Sequence, residues 1–245
     1  MQKKLLITIP CYNEELVIKK TVQTIYAFAK EHFEMYDWSI LVLDNASTDA
    51  TWQLAHTLQD KYGEKILLKQ EHAKGRGVAL RNAWIATTEY DIYSYMDADL
   101  ATDLIDFPLL IAAVDSGIDF ATGSRYLPQS DIQRNIKREV LSRFYNMLIR
   151  FFLKAQFWDA QCGFKAMNRR VVDELITKTT DTGWFWDTEL MILAGRAQFR
   201  VLEIPVTWRE VRDELRVSKV SHWSEAVRQL KNIYTMRKKL KKIRI

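Results

Sequence analysis

Two aspartates separated by one residue, Asp97 and Asp99, follow a short apolar stretch that has the composition of a buried strand, Ile92–Met96. In extended backbone, residues i and i+2 point to the same side, so the two carboxylates can converge on one point. Carboxylates a few Å apart repel each other, and a shared proton or a divalent cation relieves that repulsion. The same pattern is also typical of a turn that caps a helix, here one starting near Asp103, so its meaning depends on the rest of the chain.

Strand-like and helix-like patterns alternate through the first half of the chain, which predicts right-handed crossovers and a mainly parallel sheet flanked by helices. The predicted strands are residues 4–9, 39–43, 66–68 and 92–96. The polar loops that follow them are residues 10–14, 44–49, 74–77 and 97–99. Since ligands of such sheets bind beyond the carboxyl ends of the strands, these loops should line one crevice, and with a possible metal they indicate a nucleotide diphosphate site.

The glycine loop Lys74-Gly-Arg-Gly is a weak signal by itself. It has neither the Gly-x4-Gly-Lys-[Ser/Thr] pattern of a P-loop nor the third glycine of the dinucleotide fingerprint. A tight turn before a helix and a contact of Lys74 with phosphate both remain open at this point.

The second half of the chain opens with a predicted strand at 119–124 and a helix over Ile136–Leu153. On that helix Arg138, Ser142 and Asn146 recur at four-residue steps and share one face. The other sides are apolar and continue into Trp158, which fits either ordinary core or a face that dips into lipid.

Residues 159–166 precede a further helix, and another helix opens at Trp184-Phe-Trp-Asp-Thr-Glu. The helix macrodipole alone explains acids such as Asp187 and Glu189 in a first turn. The aromatic residues beside them, including Trp186, instead favour a wall that faces a sugar. Residues 201–208 form a strand that Pro205 interrupts, which suits a sheet edge or a bend.

Composition bounds the kind of protein. The 245 residues are 48% hydrophobic, enough for one large domain, predicted at residues 1–221. Residues 222–245 carry eight cations and one anion and form a predicted basic amphipathic helix, whereas residues 1–221 sum to −2. That distribution argues against a nucleic-acid-binding protein and favours a tail that contacts a membrane surface.

Two cysteines, Cys11 and Cys162, lie far apart and have no metal-ligand spacing, so neither a disulfide framework nor a zinc site is expected. The apolar runs fall far short of the roughly 20 residues that span a bilayer. We therefore expect a cytoplasmic protein, peripheral on the cytoplasmic face of a membrane.

With these segments in order, the chain resembles a family 2 glycosyltransferase of the GT-A fold, specifically the polyprenyl-phosphate or dolichyl-phosphate hexose synthases. The motifs that carry the resemblance are Pro-Cys-Tyr-Asn-Glu at 10–14, Asp-Asn-Ala-Ser-Thr-Asp at 44–49, Asp-Ala-Asp at 97–99, Gly-Ser-Arg-Tyr at 123–126, the Arg138/Ser142/Asn146 spacing, Gln-Cys-Gly-Phe-Lys at 161–165 and Ser218-Lys219. The 161–165 motif, Trp-Asp-Thr-Glu-Leu at 186–190 and Glu-Ile-Pro-Val-Thr-Trp at 203–208 look most like the dolichyl-phosphate glucosyltransferase branch.

The resemblance, taken with the crevice, implies roles for matching positions. The nucleotide contacts would be Pro10, Tyr12, Glu14, Asp44, Asn45, Lys74, Asp97 and Arg125. The Mg²⁺ or Mn²⁺ ligands would be Asp97 and Asp99, and the acceptor phosphate would meet Arg138, Ser142 and Lys219. The sugar would meet Gln161, Trp186, Asp187 and Glu189, and the catalytic residues would be Asp99, Arg138 and Lys219. Mannosyl enzymes often place a glutamine at the position of Ala101 as a further metal ligand, so this chain departs from them there.

The implied reaction is an inverting transfer of a hexose, with glucose expected, from a nucleotide sugar to a polyprenyl phosphate. A phosphate monoester has its second pKa near ~6, so the nucleophile is ionised at neutral pH and needs no general base. Three alternatives stay open: a GDP-mannose-dependent mannosyltransferase, a family 2 enzyme that acts on a sugar hydroxyl with Asp187 or Glu189 as base, and, remotely, a basic-tailed nucleic-acid-binding protein.

Overall fold

The computed structural model describes residues 2–210 and 222–242. The strands are β1 (Lys3–Cys11), β2 (Tyr36–Asp44), β3 (Ile66–Gln70), β4 (Ile92–Met96), β5 (Phe120–Ser124), β6 (Asp131–Gln133), β7 (Phe164–Asn168), β8 (Val201–Pro205) and β9 (Thr207–Arg209). The α-helices are α1 (Ile18–His32), α2 (Thr51–Tyr62), α3 (Arg76–Ile85), α4 (Phe107–Asp115), α5 (Ile136–Leu153), α6 (Arg169–Leu175), α7 (Trp186–Arg196) and α8 (His222–Lys242). Single 3₁₀ turns occupy Gly63–Lys65, Leu104–Asp106 and Ile176–Lys178.

Within the described residues, seven strands form the central sheet in the order β3-β2-β1-β4-β7-β5-β8. All neighbours are parallel except β7, which runs antiparallel to both β4 and β5. The parallel arrangement brings the carboxyl ends of β1, β2, β3 and β4 to one edge, as the alternating pattern predicted. A mixed α/β fold with a mainly parallel sheet is thus confirmed.

The sheet is buried on both faces, and the alternation of side chains along β1 shows how. Leu5, Ile7 and Ile9 pack against α1, α2 and α4, while Leu6 faces the opposite layer with α3, α6 and α7. Burial on both faces explains why the parallel strands are nearly continuous apolar runs. It also fixes the register that sets the height of each loop at the carboxyl edge.

The C-terminal helix α8 belongs to this packing. Ile233 and Met236 are only 4% and 3% exposed and join the core layer that contains α5 and α7. The segment predicted as a separate tail therefore has one apolar side buried against the domain. None of the helices in the described ranges is both long and apolar enough to span a bilayer.

Strand β7 is the main departure from the sequence prediction, which had residues 159–166 followed by a helix and no strand there. Phe164–Asn168 instead lies in the middle of the sheet. Its central residues Lys165 and Ala166 break the apolar pattern of a buried strand, and the lysine is fully buried all the same. Pro205 ends β8 at the sheet edge, and the chain continues into β9 of a separate two-stranded sheet, as the interruption predicted.

Candidate active site

A cleft of about 460 Å³ opens at the carboxyl edge of the sheet, where the loops after β1, β2, β3 and β4 meet. Seven of the predicted nucleotide and metal residues line it: Pro10, Tyr12, Glu14, Asn45, Lys74, Asp97 and Asp99. The convergence follows from topology, because four parallel strands deliver four loops to the same edge.

The loops after β1 and β2 hold each other in place. The N–H of Asn13 donates to Ser47 Oγ at 2.9 Å, and its Oδ1 accepts from the N–H of Thr48 at 2.7 Å. Asn13 adopts a left-handed conformation, with φ of 53°, which an asparagine tolerates better than most residues. The hydroxyl of Ser47 thus joins the two loops.

Asn45 lines the cleft, whereas the preceding residue, Asp44, is not among the lining residues. Asp44 is fully buried, and its Oδ2 accepts from Gln70 Nε2 at 2.9 Å, whereas its Oδ1 accepts no hydrogen bond within the described residues. Asn45 donates to the carbonyl of Ala73 at 2.7 Å and accepts the N–H of Gly75 at 2.8 Å. Asn45 therefore braces the glycine loop in addition to lining the cleft.

The glycine loop owes its glycines to close packing. A Cβ added to Gly75 would lie 2.1 Å from the carbonyl oxygen of Thr182, and one added to Gly77 would lie 2.5 Å from Cβ of Trp186. The N–H groups of Gly77 and Val78, which begin α3, donate to that same Thr182 carbonyl. Since these amides are occupied, the loop offers a phosphate its side chains rather than its backbone.

Arg76 is the cation of this loop, and the sequence prediction missed it. Its guanidinium lies 3.1 Å from Asp97 Oδ1 and 3.4 Å from Asp187 Oδ2. It stacks between the rings of Tyr95 and Trp184, 5.0 Å from each centroid. Burial opposes the charge, but Asp187 and Asp97 raise the pKa of Arg76 well above its usual value, so this residue stays a fixed positive charge. The sequence prediction missed Arg76 because the residues that surround it come from distant parts of the chain.

The acid pair follows β4 as predicted. Asp99 and Asp97 both line the cleft, and the N–H of Asp97 donates to the carbonyl of Gly163. Burial raises the pKa of Asp97, Arg76 opposes the rise, and the neighbouring carboxylates of Asp99 and Asp187 add to it, giving a value of about 6. Such mutual repulsion is what a divalent cation relieves, so the donor set fits Mg²⁺ or Mn²⁺.

Two protein carboxylates form an incomplete shell for either ion, which takes about six oxygen ligands. In the described ranges no group of three His, Cys, Asp or Glu side chains is arranged to hold a metal. Ala101, at the position where mannosyl enzymes often have a glutamine ligand, is buried and has no side-chain donor atom for a metal; its backbone N–H donates to Asp99 Oδ1 and its carbonyl accepts the N–H of Arg209. Oxygens of a bound diphosphate or water would have to fill the remaining positions.

Gly163 is a second residue that the sequence prediction did not single out. A Cβ there would lie 2.1 Å from Asp97 Oδ2 and 2.4 Å from its Cγ. Any larger side chain at this position must displace the carboxylate. The loop that leads into β7 therefore sets the position of Asp97 from the second half of the chain.

The phosphate-binding residues predicted in the second half are placed differently. Arg125 is 8% exposed and makes a two-pronged ion pair with Asp159, with N···O distances of 2.7 and 2.9 Å, and it is not among the cleft residues. The buried aspartate occupies the guanidinium, and the predicted nucleotide contact of Arg125 stays a prediction. Arg138 donates to Glu210 Oε1 at 2.8 Å, also away from the cleft lining. Lys219 lies outside the described residues.

Of the residues that share one face of α5, Arg138, Ser142 and Asn146, the last is buried and serves the fold. Ser142 is half-buried and accepts a hydrogen bond from Asn146 through its carbonyl, while the Asn146 side chain accepts the N–H of Ala160. Asn146 thus holds the chain after α5 in place. The prediction that Arg138 and Ser142 meet an acceptor phosphate remains a prediction.

The predicted sugar-facing residues are mostly buried. Trp186 is 1% exposed, packs against Trp84 and Tyr95, and donates its indole N–H to Thr179 Oγ1, so it is a core residue and its sugar contact stays a prediction. It is Trp184, 47% exposed, that lines the cleft. Two tryptophans two residues apart cannot be assigned to core or cleft from their spacing alone.

The remaining sugar candidates also lie off the cleft wall. Asp187, 3% exposed, accepts the hydroxyl of Tyr95 and pairs with Arg76. Glu189, 2% exposed, accepts from Thr180 and from Lys239 of α8. Gln161 is half-buried and does not line the cleft in the described chain.

Comparison with known proteins agrees with this geometry. The family described as Glycosyl transferase family 2 matches residues 6–176, which include all four cleft loops. The glycosyltransferase AglD of Haloferax volcanii is 37% identical over 208 residues, or 84% of this chain and 33% of AglD. The polyprenol monophosphomannose synthase of Mycolicibacterium smegmatis is 31% identical over 224 residues, 89% of this chain and 82% of the synthase.

A dolichyl-phosphate beta-glucosyltransferase of Saccharomyces cerevisiae is 29% identical over 225 residues, 84% of this chain and 66% of the yeast enzyme. The chain therefore spans one third of AglD and about two thirds of the yeast protein. Among solved structures, glucosyl-3-phosphoglycerate synthase of Mycobacterium tuberculosis, crystallised with Mn²⁺, UDP and phosphoglyceric acid, superposes with a TM-score of 0.70. The superposition covers 96% of this chain and 77% of the synthase. At 16% identity, it shows a likeness of fold.

Proposed function

Because the chain belongs to glycosyl transferase family 2, we propose that it moves a hexose, glucose first among the candidates, from a nucleotide sugar to a polyprenyl phosphate. The observation that carries this proposal is the single cleft in which Asp97 and Asp99 meet Lys74 and Arg76. Acids able to hold a divalent cation, beside cations able to hold phosphate, are what a nucleotide diphosphate requires.

The donor would lie along the loops of the first half. Tyr12 and Pro10 offer apolar surface to the nucleoside, and Asp44 has a carboxylate oxygen with no hydrogen bond inside the described chain, which suits a donor on the base or ribose. Asp97 and Asp99 would hold Mg²⁺ or Mn²⁺. The ion supplies positive charge against the charge that grows on the departing diphosphate.

The kind of acceptor is inferred from the state of the two candidate bases, Asp187 and Glu189. A hydroxyl acceptor needs a base, yet Asp187 is held by Tyr95 and Arg76 and Glu189 is held by Thr180 and Lys239. An ionised phosphate monoester attacks without one, because its second pKa is near ~6. Cationic positioning, with Arg138 and Lys219 as proposed contacts, then becomes the main contribution of the second half.

Helix α5 supports a lipid acceptor. Its outer side carries large apolar side chains in full or partial exposure: Ile136, Val140, Leu141, Phe144, Met147, Phe151 and Phe152. Beside it lies a groove of about 460 Å³ lined by Arg143 and Arg150 among aromatic residues, with Arg150 over the Trp158 ring. An exposed apolar face of this length, flanked by cations, suits the surface of an anionic membrane.

Helix α8 has less apolar surface available for membrane binding than its sequence predicted. Ile233 and Met236 are buried within the protein, whereas Leu230 and Tyr234 of α8 are exposed. We propose that α5 enters the lipid interface and that the outward cations of α8, such as Lys238 and Lys241, add electrostatic attraction at a cytoplasmic face. Each cation near an anionic bilayer is worth about 1 kcal/mol.

Sedimentation with liposomes tests the membrane proposal. The full chain should bind vesicles that contain phosphatidylserine and dissociate as salt rises, because the attraction is screened. Phe151→Ser should weaken that binding, whereas Leu16→Ser, an equally exposed apolar residue near α1, should not. A wild-type chain that ignores anionic vesicles at low salt would end the peripheral-membrane proposal.

The catalytic proposal is tested by transfer assays with UDP-glucose and GDP-mannose against polyprenyl phosphate, dephosphorylated polyprenol and soluble sugars. Transfer from UDP-glucose to polyprenyl phosphate alone, lost with a chelator, is the expected result. Transfer from GDP-mannose would support the second candidate, which the similarity to polyprenol monophosphomannose synthase favours. Transfer to a sugar hydroxyl would refute the lipid-phosphate acceptor.

A further inference from the structure

Helix α8 is attached to one wall of the cleft by polar contacts as well as by its buried apolar side. Lys239 Nζ donates to Glu189 Oε1 at 2.6 Å, to the carbonyl of Lys178 at 2.7 Å and to Thr180 Oγ1 at 3.1 Å. Asn232 Nδ2 donates to Asp181 Oδ2 at 3.3 Å. Three of the four acceptors, Lys178, Thr180 and Asp181, belong to segment 178–184, called here the clasped segment, and the fourth is Glu189 of α7.

The clasped segment is itself part of the substrate cleft. Thr182, Gly183 and Trp184 line it, and the Thr182 carbonyl accepts the first amides of α3 beside the glycine loop. Glu189 secures the other end of the segment through the N–H groups of Thr180 and Asp181, at 2.8 and 2.7 Å. A continuous set of contacts thus joins α8 to the loop that carries Lys74 and Arg76.

One residue of α8 reaches the cleft directly. Arg228 lies among the cleft residues, next to the clasped segment and on the same cavity as Lys74, Asp97 and Asp99. Burial raises the pKa of Asp181, and the positive charge of Arg228 opposes that rise, which is consistent with the guanidinium being close to this wall. Arg228 stands outside the region that the family match covers, residues 6–176.

The charges of the cleft leave a role for this arginine. A divalent cation would balance Asp97 and Asp99, and Asp187 already offsets part of the charge of Arg76. A donor diphosphate and an acceptor monophosphate each bring up to about two further negative charges at neutral pH. Among the described residues that line the cleft, the cations are Lys74, Arg76 and Arg228. Arginine suits phosphate oxygens because its planar donors bind two at once.

We propose that Arg228 of α8 binds a substrate phosphate in the cleft, so that the C-terminal helix is part of the active site. This inference rests on the proposed function for the identity of the substrates, though not for the presence of a phosphate. The phosphate is that of the nucleotide donor or that of the lipid acceptor.

The test is a calorimetric titration of the full chain with two probes, UDP in the presence of Mn²⁺ and the water-soluble farnesyl phosphate. Arg228→Ala should weaken one of them at least tenfold, about 1.4 kcal/mol, and Arg228→Lys should restore part of the loss because it keeps the charge. Arg196→Ala, which removes an exposed arginine at the end of α7, should leave both affinities within twofold. Thermal unfolding midpoints of the variants should match the wild type.

The two arms separate the sources of the phosphate. Loss confined to UDP assigns Arg228 to the donor, and loss confined to farnesyl phosphate assigns it to the acceptor. If both affinities stay within twofold in Arg228→Ala, the inference is overturned whatever the enzyme's substrates. If the wild type binds UDP but no prenyl phosphate, the proposed acceptor fails while the UDP arm still decides the role of Arg228; binding of neither probe overturns both.

Discussion

The two halves of the chain use their arginines in opposite ways. In the first half Arg76 is buried at the cleft, where its two carboxylate partners include the proposed metal ligand Asp97. In the second half Arg125 is equally buried, but its partner is Asp159, and both lie away from the cleft. One pair contributes charge to a ligand site, and the other joins two segments of the fold.

The difference teaches that a cation next to a family motif is not by itself a phosphate contact. Loops after parallel strands meet because topology forces them to, so polar residues in the first half share a cleft. The partners of side chains on α5 or after β5 depend on tertiary packing. Here Arg125 contacts Asp159 and Arg138 contacts Glu210. Four substitutions test this contrast.

The largest effect is expected on stability. Asp159→Asn should destabilise the protein by about 3–5 kcal/mol, because it leaves the Arg125 guanidinium buried with no anion. Asp173→Asn, which breaks the exposed pair with Arg169, should cost no more than about 0.5 kcal/mol. Urea unfolding measures both, and a small loss for Asp159→Asn would reopen a role for Arg125 at a ligand.

The same pair has a pH signature. Burial raises the pKa of Asp159, but the charge and hydrogen bonds of Arg125 outweigh it and hold the pKa below its usual value. The pair's contribution is therefore fully present above the unfolded pKa of about 4 and is lost as the pH falls through the lower folded value. The difference in stability between wild type and Asp159→Asn should shrink below about pH 4.

The next effect is expected on the first half. Asp99→Ala should weaken Mn²⁺-dependent UDP binding at least about 100-fold, close to 2.7 kcal/mol, because it removes one of two proposed metal ligands. A chelator should bring the wild type to the same level. Asp60→Asn on the exposed side of α2 serves as the control. An affinity that ignores both the substitution and the chelator would exclude the metal site.

Arg138 offers the opposite test for the second half. We expect Arg138→Ala to leave UDP binding intact while transfer falls by about tenfold or more, since only the acceptor phosphate would lose its cation. Arg170→Ala, which removes another exposed, ion-paired arginine, should change neither quantity. Equal losses of binding and transfer would contradict an acceptor role, and no loss would make Arg138 a purely structural partner of Glu210.

Gly163 joins the two halves, and its substitution tests the contact between them. Gly163→Ala should cost about 1–3 kcal/mol of stability or an equivalent loss of UDP·Mn²⁺ affinity, because its Cβ would strike the Asp97 carboxylate. Gly195→Ala in α7 is the matched control, with nothing within 4 Å of the new methyl, and it should be neutral or slightly stabilising. Unchanged stability and unchanged UDP·Mn²⁺ affinity in Gly163→Ala would show that Gly163 does not set the position of Asp97.

Some errors of the sequence interpretation share one cause. Strand β7 was missed because Lys165 is charged, yet its ammonium is buried beside the carbonyl of Cys162. Trp186 was assigned to a sugar and proved to be core, while Trp184, two residues earlier, lines the cleft. Sequence periodicity indicates which residues share a face of a helix or strand, but it does not indicate which distant residues that face contacts.

The sequence by itself determined the alternation of strands and helices in the first half, the edge at which the loops converge and the acid pair at the end of β4. These follow from local patterns and from the handedness of crossovers, which need no knowledge of distant contacts. Only the tertiary structure decided that Arg76 belongs to the cleft, that Arg125 is taken by Asp159, and that α8 returns to supply Arg228. Such assignments depend on which residues distant in sequence become neighbours, and burial then fixes the partner because a buried charge must be paired.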